Sequence, residues 1–319
     1  MKPKILVTHG ILPQALAYLG ERTDIEIGTE GQFLAKEEII EKIADKEGLL
    51  SLLTDTIDKD VLNAAPRLRI VANYAVGFNN IDIGHAASRG ILVTNTPGIL
   101  TEATAELTWA LILAVARRIP RADAFVRESR FRGWAIDLFL GKSLSGKTLG
   151  IIGMGRIGRA VALRGRGFGM EIVYSDPKRL PPEDEAASGA NHLPLDELLS
   201  HSDVVSIHAS LDAGSRNLIS REKLRLMKTE AILVNVARGP IVDEAALAEA
   251  LEQGRLWGAG LDVYEREPDI EERLMGLDNV VLLPHIGSAT FETRLEMSMM
   301  AARNLVQGLR GERPDNLIV

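Results

Sequence analysis

Cysteine is absent from the 319 residues of this chain, which excludes disulfide bonds, thiolate metal sites and cysteine nucleophiles. No metal site is predicted. Long apolar runs are also lacking, since the longest, residues 107–116, is about half of the roughly 20 residues that a membrane span needs. The first residues show no apolar stretch followed by a small-residue cleavage site. We therefore expect a soluble, cytoplasmic protein that has no membrane partner.

Basic residues are fewer than acidic residues in this chain. The chain has 37 Lys and Arg against 44 Asp and Glu, which gives a net charge of −7. A surface of this sign argues against nucleic acid as a partner. Apolar residues make up 46% of the chain and charged residues 25%, a balance typical of globular proteins with a sizeable core. A chain of this length is expected to form two domains.

Short apolar runs alternate with segments of helical period along the chain. A first series of predicted strands comprises Ile5–Thr8, Ile25–Ile27, Gly48–Leu53, Ile70–Ala72 and Ile91–Val93. A second series comprises Thr148–Ile152, Glu171–Tyr174, Val204–Ile207, Ala231–Val236, Ala259–Leu261 and Val280–Leu283. Continuous apolar strands that alternate with helices predict parallel α/β sheets. The turn Thr96–Gly98 and an apolar helix at Glu102–Arg117 separate the two series, so we expect two α/β domains.

A glycine-rich turn follows the first strand of the second series. The segment Thr148–Gly158 runs from an apolar strand through three glycines into a helix. Gly153 permits a tight turn, Gly155 lets a pyrophosphate approach the backbone, and Gly158 lets the helix pack closely on the strand. The N-terminus of that helix offers free N–H groups to the phosphates. This pattern predicts a dinucleotide site.

An acidic residue, Asp176, lies about 20 residues after these glycines, at the end of the next strand. Its carboxylate suits hydrogen bonds from the hydroxyls of the adenosine ribose. A carboxylate in this place repels a 2′-phosphate, whereas the nearby cations Lys178 and Arg179 attract one. The sequence therefore predicts NAD(H) as the preferred cofactor and NADP(H) as the alternative.

Three further polar residues, Arg238, Glu267 and His285, each follow a later strand of the same series. The carboxyl ends of strands are where open α/β sheets bind ligands. An arginine fork binds a carboxylate, and a histidine exchanges a proton near neutral pH. A carboxylate bonded to a histidine raises the pKa of the imidazole. Together these residue types predict hydride reduction of a 2-keto acid.

These motifs resemble the D-isomer-specific 2-hydroxyacid dehydrogenase family. The segments that carry the resemblance are Asn73–Asp82, Asn95–Gly98, Thr148–Gly158, Val234–Gly239, Gly260–Tyr264 and Pro284–Ser288. The resemblance implies an α/β fold of two doubly wound parallel-sheet domains. A Rossmann cofactor domain at residues 98–285 is inserted into a flavodoxin-like substrate domain of residues 1–97 and 286–319, and the substrate lies in the cleft between them.

The resemblance also implies a role for each candidate site residue. Arg238 binds the carboxylate and carbonyl of the substrate, His285 is the acid/base catalyst, and Glu267 is its partner. The backbone N–H groups of Val76 and Gly77 bind the substrate carboxylate. Further cofactor contacts are implied for Thr104 near the nicotinamide, Arg156 and Ile157 at the pyrophosphate, Val236 and Ala237 before the arginine, and Asp262 at the carboxamide.

One segment departs from the pattern of the family. Members usually carry His-x-Pro-Leu, whereas this chain reads His208-Ala-Ser-Leu211, with Ser210 in place of proline. That proline shapes the loop beneath the adenosine, so the path of this loop is left open. His208 either contacts the cofactor or caps its strand.

An apolar segment with Trp134, Leu138 and Phe139 follows the long helix in sequence. Core packing is the simplest interpretation of such side chains. In the family that the chain resembles, this segment meets the partner subunit. We therefore expect a homodimer that forms through the cofactor domain.

The stretch Arg132–Lys147 is similar to that of glyoxylate/hydroxypyruvate reductases, and Glu267 stands where related formate dehydrogenases carry glutamine. We expect reduction of glyoxylate or hydroxypyruvate to glycolate or D-glycerate. A D-3-phosphoglycerate or 2-ketogluconate type of dehydrogenase is the alternative. An NADH-sensing corepressor is the alternative from another class, but the sequence has neither disordered tails nor a basic patch.

Overall fold

The structure is a computed structural model, and it describes residues 2–28 and 33–319. The chain divides into two compact units. Unit 1 comprises residues 1–100 and 288–319, and unit 2 comprises residues 101–287. Unit 1 is thus discontinuous in sequence, with the whole of unit 2 inserted between its two segments.

Unit 1 is built on a parallel sheet of five strands in the order β2-β1-β3-β4-β5. The strands, numbered in chain order, are β1 (Lys4–Val7), β2 (Asp24–Ile27), β3 (Gly48–Leu52), β4 (Ile70–Tyr74) and β5 (Leu92–Thr94). The helices are α1 (Pro13–Gly20), α2 (Lys36–Ile43), α3 (Lys59–Ala64), α4 (Ile83–Ser88) and α13 (Phe291–Leu309). This strand order is the flavodoxin-like one.

Helices cover both faces of the unit 1 sheet. On one face, Leu305 of α13 and Leu19 of α1 pack with Ile5 and Ile70 in one buried cluster. Helices α2, α3 and α4 contribute to a second cluster on the other face. Because both faces are covered, the inner strands β1, β3 and β4 are largely buried and mostly apolar, which is the pattern that predicts them from sequence. The last helix, α13, belongs to unit 1.

Unit 2 is built on a parallel sheet of seven strands in the order β12-β11-β10-β9-β6-β7-β8. Its strands are β6 (Thr148–Ile152), β7 (Glu171–Ser175), β8 (Ala190–His192), β9 (Val204–Ile207), β10 (Ile232–Asn235), β11 (Gly258–Leu261) and β12 (Val280–Leu282). Its helices are α5 (Thr101–Ala116), α6 (Ile119–Arg127), α7 (Arg156–Gly167), α8 (Pro182–Ser188), α9 (Leu195–His201), α10 (Arg221–Leu226), α11 (Glu244–Glu252) and α12 (Glu272–Met275). The order reverses between β6 and β9, which is the switch point of a Rossmann sheet.

The core of unit 2 also has two sides. Helices α5 and α7 pack on one face, where the indole Nε1 of Trp109 donates to the carbonyl of Val161 at 3.1 Å. Helices α9, α10 and α11 bury apolar side chains such as Leu198, Leu224 and Leu247 on the other face. The predicted fold class, two doubly wound parallel α/β domains, is confirmed.

Two elements of unit 2 differ from the sequence-based expectation. Strand β8 is not predicted, because its three residues include the polar Asn191 and His192 at the edge of the sheet. Helix α6 is not predicted either, and it lies between α5 and the segment with Trp134. In the described part of the chain, no helix is long and apolar enough to cross a membrane.

Candidate active site

The carboxyl edge of the unit 2 sheet carries a histidine–carboxylate pair. Glu267 follows β11 and His285 follows β12, and the structure brings the two side chains together. The Nδ1 of His285 hydrogen-bonds Oε2 of Glu267 at 2.8 Å. With Nδ1 protonated to make this bond, Nε2 is the ring nitrogen available for proton exchange with a ligand.

The carboxylate of Glu267 is held by its own loop. Its Oε1 accepts the backbone N–H of Tyr264 at 3.0 Å. Burial by itself raises the pKa of Glu267, but the bond from His285, the Tyr264 N–H and the charge of Arg238 outweigh it, so the pKa lies below its usual value. Glu267 is therefore an anion at neutral pH and stabilises a protonated imidazole.

Arg238 lies next to this pair, at the start of a short 3-10 turn formed by Gly239–Ile241. Its Nη1 donates to the carbonyl of Ala237 at 2.7 Å. Burial lowers the pKa of the guanidinium and the charge of Glu267 opposes this, yet an arginine stays charged at neutral pH. A Cβ at Gly239 would clash with the backbone of Tyr264. Only glycine lets the Arg238 segment lie directly against the Glu267 loop.

The loop that carries His285 is fixed from two sides. His285 adopts a left-handed backbone with φ of 57°, which is uncommon for residues other than glycine. The carboxylate of Asp262 accepts the N–H groups of Ile286 at 2.7 Å and Gly287 at 2.8 Å. The hydroxyl of Thr104 donates to the carbonyl of Gly287 at 3.0 Å. The roles implied for Asp262 and Thr104 at the nicotinamide stay predictions.

Tyr264 and Gly239 are site residues to which the sequence gives no role. The Tyr264 hydroxyl donates to the carbonyl of Leu283 at 2.8 Å, while its backbone N–H binds Glu267. Tyr264 thereby links the segment that leads to His285 with the carboxylate that pairs with it. Both residues belong to the segments that carry the family resemblance, and this membership is the signal by which they could have been found.

The glycine turn after β6 has the geometry that a pyrophosphate needs. Gly153 has φ of 90°, and a Cβ there would lie 2.6 Å from the backbone nitrogen of Ala209, so a side chain is excluded. A Cβ at Gly155 would meet no atom of the described residues within 4 Å. Gly155 is the N-cap of α7 and has no side chain that could bind the first N–H groups of this helix. These N–H groups, including those of Arg156 and Ile157, therefore suit an anion.

Asp176 and Arg179 lie beyond the end of β7. The Asp176 carboxylate accepts the N–H of Met154 at 2.8 Å and the N–H of Lys178 at 2.9 Å, so it also braces the glycine turn. Arg179 donates through two nitrogens to the carboxylate of Glu185, at 2.9 and 3.1 Å. Arg179 is thus paired with a carboxylate of its own chain.

His208 follows β9 and packs against the glycine turn. Its Nε2 hydrogen-bonds the hydroxyl of Ser206 at 2.8 Å, while Nδ1 is buried and has no partner among the described residues. Burial lowers the pKa of His208 to about 3, so the ring is neutral. Ser206 lies in β9, the strand that His208 follows, and this contact fits the capping alternative. The unpartnered Nδ1 suits a bound ligand.

The loop after His208 is ordered without the proline of the family. The hydroxyl of Ser215 donates to the carbonyl of Ser210 at 2.7 Å. The N–H groups of Gly214 and Ser215 bind the carboxylate of Asp212 at 2.7 and 2.9 Å. Side-chain hydrogen bonds therefore fix the path that the sequence left open.

The remaining predicted residues lie at two places. Val236 is buried, and the N–H of Ala237 binds Oδ1 of Asn235 at 3.0 Å, so both form the turn between β10 and Arg238. Val76 and Gly77 follow β4 in unit 1 and are half-buried.

The chain is similar to known proteins over its full length. It is 47% identical to the glyoxylate reductase of Thermococcus onnurineus (strain NA1), covering 100% of this chain and 96% of that protein. It is 50% identical to the glyoxylate reductase of Aeropyrum pernix, covering 99% and 96%. The crystal structure of the TT0316 protein from Thermus thermophilus matches with a TM-score of 0.92 and 45% identity, covering 99% of this chain and all of that one.

The family match spans more than half of the chain. Residues 109–287 match the family described as "D-isomer specific 2-hydroxyacid dehydrogenase, NAD binding domain", and these residues include the glycine turn, Arg238, Glu267 and His285. The resemblance inferred from the motifs is thus confirmed by similarity along the whole sequence. The chain belongs to the D-isomer-specific 2-hydroxyacid dehydrogenase family and is an NAD(P)-dependent oxidoreductase.

Proposed function

We propose that the chain reduces glyoxylate or hydroxypyruvate to glycolate or D-glycerate, with NADH as the reductant. The observation that carries this proposal is the 2.8 Å bond between His285 and Glu267, in the unit that also holds the glycine turn. The choice of substrate is supported by the two glyoxylate reductases that are 47% and 50% identical to the chain.

The side chains of unit 2 suit both the proton transfer and the substrate binding that this reaction needs. When bound, the reduced nicotinamide supplies the hydride that adds to the carbonyl carbon of the keto acid. His285, protonated at Nε2, gives that proton to the carbonyl oxygen as the C=O bond becomes a C–O single bond. Glu267 stabilises the imidazolium before the transfer, and the Arg238 fork binds the carboxylate and carbonyl of the substrate.

The geometry also supports NADH over NADPH. The carboxylate of Asp176 would repel a 2′-phosphate, and Arg179, a cation suited to hold that phosphate, is engaged by Glu185. We propose that Asp176 accepts the ribose hydroxyls and that His208 contacts the cofactor through Nδ1. In the same proposal Thr104, Val236, Ala237 and Asp262 line the nicotinamide side of the site.

Consumption of NADH with a panel of 2-keto acids tests the proposal. We expect the highest kcat/KM for glyoxylate or hydroxypyruvate, and a lower one when NADPH replaces NADH. Turnover of phosphohydroxypyruvate or 2-ketogluconate, without turnover of the two smaller acids, would contradict the choice of substrate. Tight NADH binding without turnover of any acid would favour the corepressor alternative.

We further propose that the chain forms a homodimer through unit 2. In the segment after α6, Trp134 is 84% exposed and Ile136 is 79% exposed, and exposed apolar side chains of this kind mark interaction sites. Light scattering at micromolar concentration should give twice the 34.7 kDa of one chain. A monomeric mass would refute the dimer. That the protein works in the cytoplasm stays a prediction.

A further inference from the structure

Three consecutive peptide carbonyls after β4 are each held by a hydrogen bond inside unit 1. The carbonyl of Ala75 accepts the backbone N–H of Thr96 at 2.9 Å. The carbonyl of Val76 accepts Nδ2 of Asn95 at 2.7 Å, and the carbonyl of Gly77 accepts Nδ2 of Asn73 at 2.9 Å. All three carbonyls are thus directed at the scaffold of the unit.

The N–H groups of this turn point the other way. In a trans peptide the C=O and the following N–H are antiparallel, and the peptide bonds of this turn are not among the cis bonds of the chain. The N–H groups of Val76, Gly77 and Phe78 therefore face away from the scaffold, and none has an acceptor among residues 2–28 and 33–319. Successive backbone N–H groups with one common direction form an anion-binding nest.

The two asparagines are themselves held. Asn73 is 1% exposed, and its Oδ1 accepts the hydroxyl of Ser51 at 3.1 Å and Nδ2 of Asn80 at 3.3 Å. The backbone carbonyl of Asn95 accepts Nδ2 of Asn304, from α13, at 3.2 Å. The side-chain amide of Asn73 is thus oriented by its neighbours, and the backbone that carries Asn95 is anchored to α13.

We infer that Asn73 and Asn95 are positioning residues that orient the N–H groups of Val76, Gly77 and Phe78 into a nest for the carboxylate of the substrate. This inference rests on the proposed function, since it takes the anion to be the carboxylate of a small 2-keto acid. It adds Phe78 as a third donor and assigns a task to two side chains that do not touch the substrate.

The test is Asn95→Asp in the full chain with NADH bound. The substitution keeps the shape of the side chain but replaces the donor to the Val76 carbonyl with an acceptor, so this peptide turns and its N–H leaves the nest. Weakening a hydrogen bond to a charged group is expected to raise KM for glyoxylate about tenfold. The value of kcat should change less than about threefold, since His285 and Glu267 are untouched. NADH affinity and Tm serve as controls for an intact unit 2 and an intact fold.

A matched control is Asn63→Asp, the same change at an exposed side chain on α3 that bonds His85; its KM should equal that of the wild type. Asn73→Asp, which alters the donor to Gly77, should reproduce the rise in KM and guards against a folding defect in the first variant. An unchanged KM in both variants, or a fall in kcat at constant KM, would overturn the inference.

Calorimetry with oxalate, a dicarboxylate that is not reduced, separates this inference from the proposed function. Wild-type chain that binds oxalate but reduces no keto acid would contradict the proposed function. A loss of oxalate affinity of about tenfold in Asn95→Asp would still support the nest. Equal oxalate affinity in the wild type and both asparagine variants would overturn it.

Discussion

Replacing His285 with glutamine is expected to lower kcat for glyoxylate or hydroxypyruvate by about 10²- to 10⁴-fold, the usual contribution of a general acid. Glutamine keeps a polar side chain that bonds Glu267 but carries no proton of suitable acidity. NADH binding should persist, because the glycine turn and α7 lie at a different part of the sheet edge. Steady-state kinetics and fluorescence titration with NADH measure the two quantities.

The matched control for this variant is His201→Gln. His201 is an exposed histidine at the end of α9 whose Nδ1 hydrogen-bonds the carbonyl of Glu197, so its replacement should leave kcat unchanged. Near wild-type activity of the His285 variant would show that the proton comes from another group. A loss of NADH binding would show instead that His285 supports the cofactor site.

Replacing Arg238 with glutamine is expected to lower kcat/KM by about 10²- to 10³-fold, because it removes a preorganised cation from a developing negative charge. This loss of kcat/KM should exceed the loss from removing a residue that only binds substrate, since Arg238 also lies beside Glu267 and lowers the pKa of its carboxyl group. Steady-state kinetics over a range of keto-acid concentrations gives the loss.

Arg238→Lys is the control that separates charge from geometry. Lysine keeps the charge but lacks the planar fork of donors, so it should recover only part of the lost kcat/KM. Full activity of the lysine variant would contradict a role for the fork, and full activity of the glutamine variant would remove Arg238 from the site.

The sequence predicts the sheets and the candidate catalytic side chains because both depend on local patterns. Buried parallel strands such as β6 and β9 are continuous apolar runs, and these are visible without any partner. Arg238, Glu267 and His285 follow such runs directly. Parallel strands bring their carboxyl ends to one edge, so spacing along the chain suffices to group them.

The supports of the site depend on contacts that no local pattern encodes. The bond from Tyr264 to Leu283 joins two loops, and the close approach of Gly239 to Tyr264 joins two more. The pairing of Arg179 with Glu185 requires α8 to fold back over the end of β7. The loop after His208 is ordered by local hydrogen bonds of Asp212 and Ser215 instead, and these residues lie outside the motif whose proline is missing.

The nest in unit 1 illustrates the same limit. The segment from Asn73 is recognisable by resemblance, and so are Val76 and Gly77. That the carbonyl of Val76 is held by Asn95 follows only once β4 and β5 are paired, whereas Asn73 reaches the carbonyl of Gly77 within the same turn. A sequence motif can therefore name the donors without showing what orients them.

The most direct test of the proposed reaction is to identify the products of hydroxypyruvate reduction when the NADH carries deuterium at the transferred position. Reduction as proposed gives D-glycerate with deuterium at C2 in wild-type protein, and chiral chromatography with mass spectrometry detects both properties. L-glycerate, or glycerate without deuterium at C2, would contradict the proposed reaction.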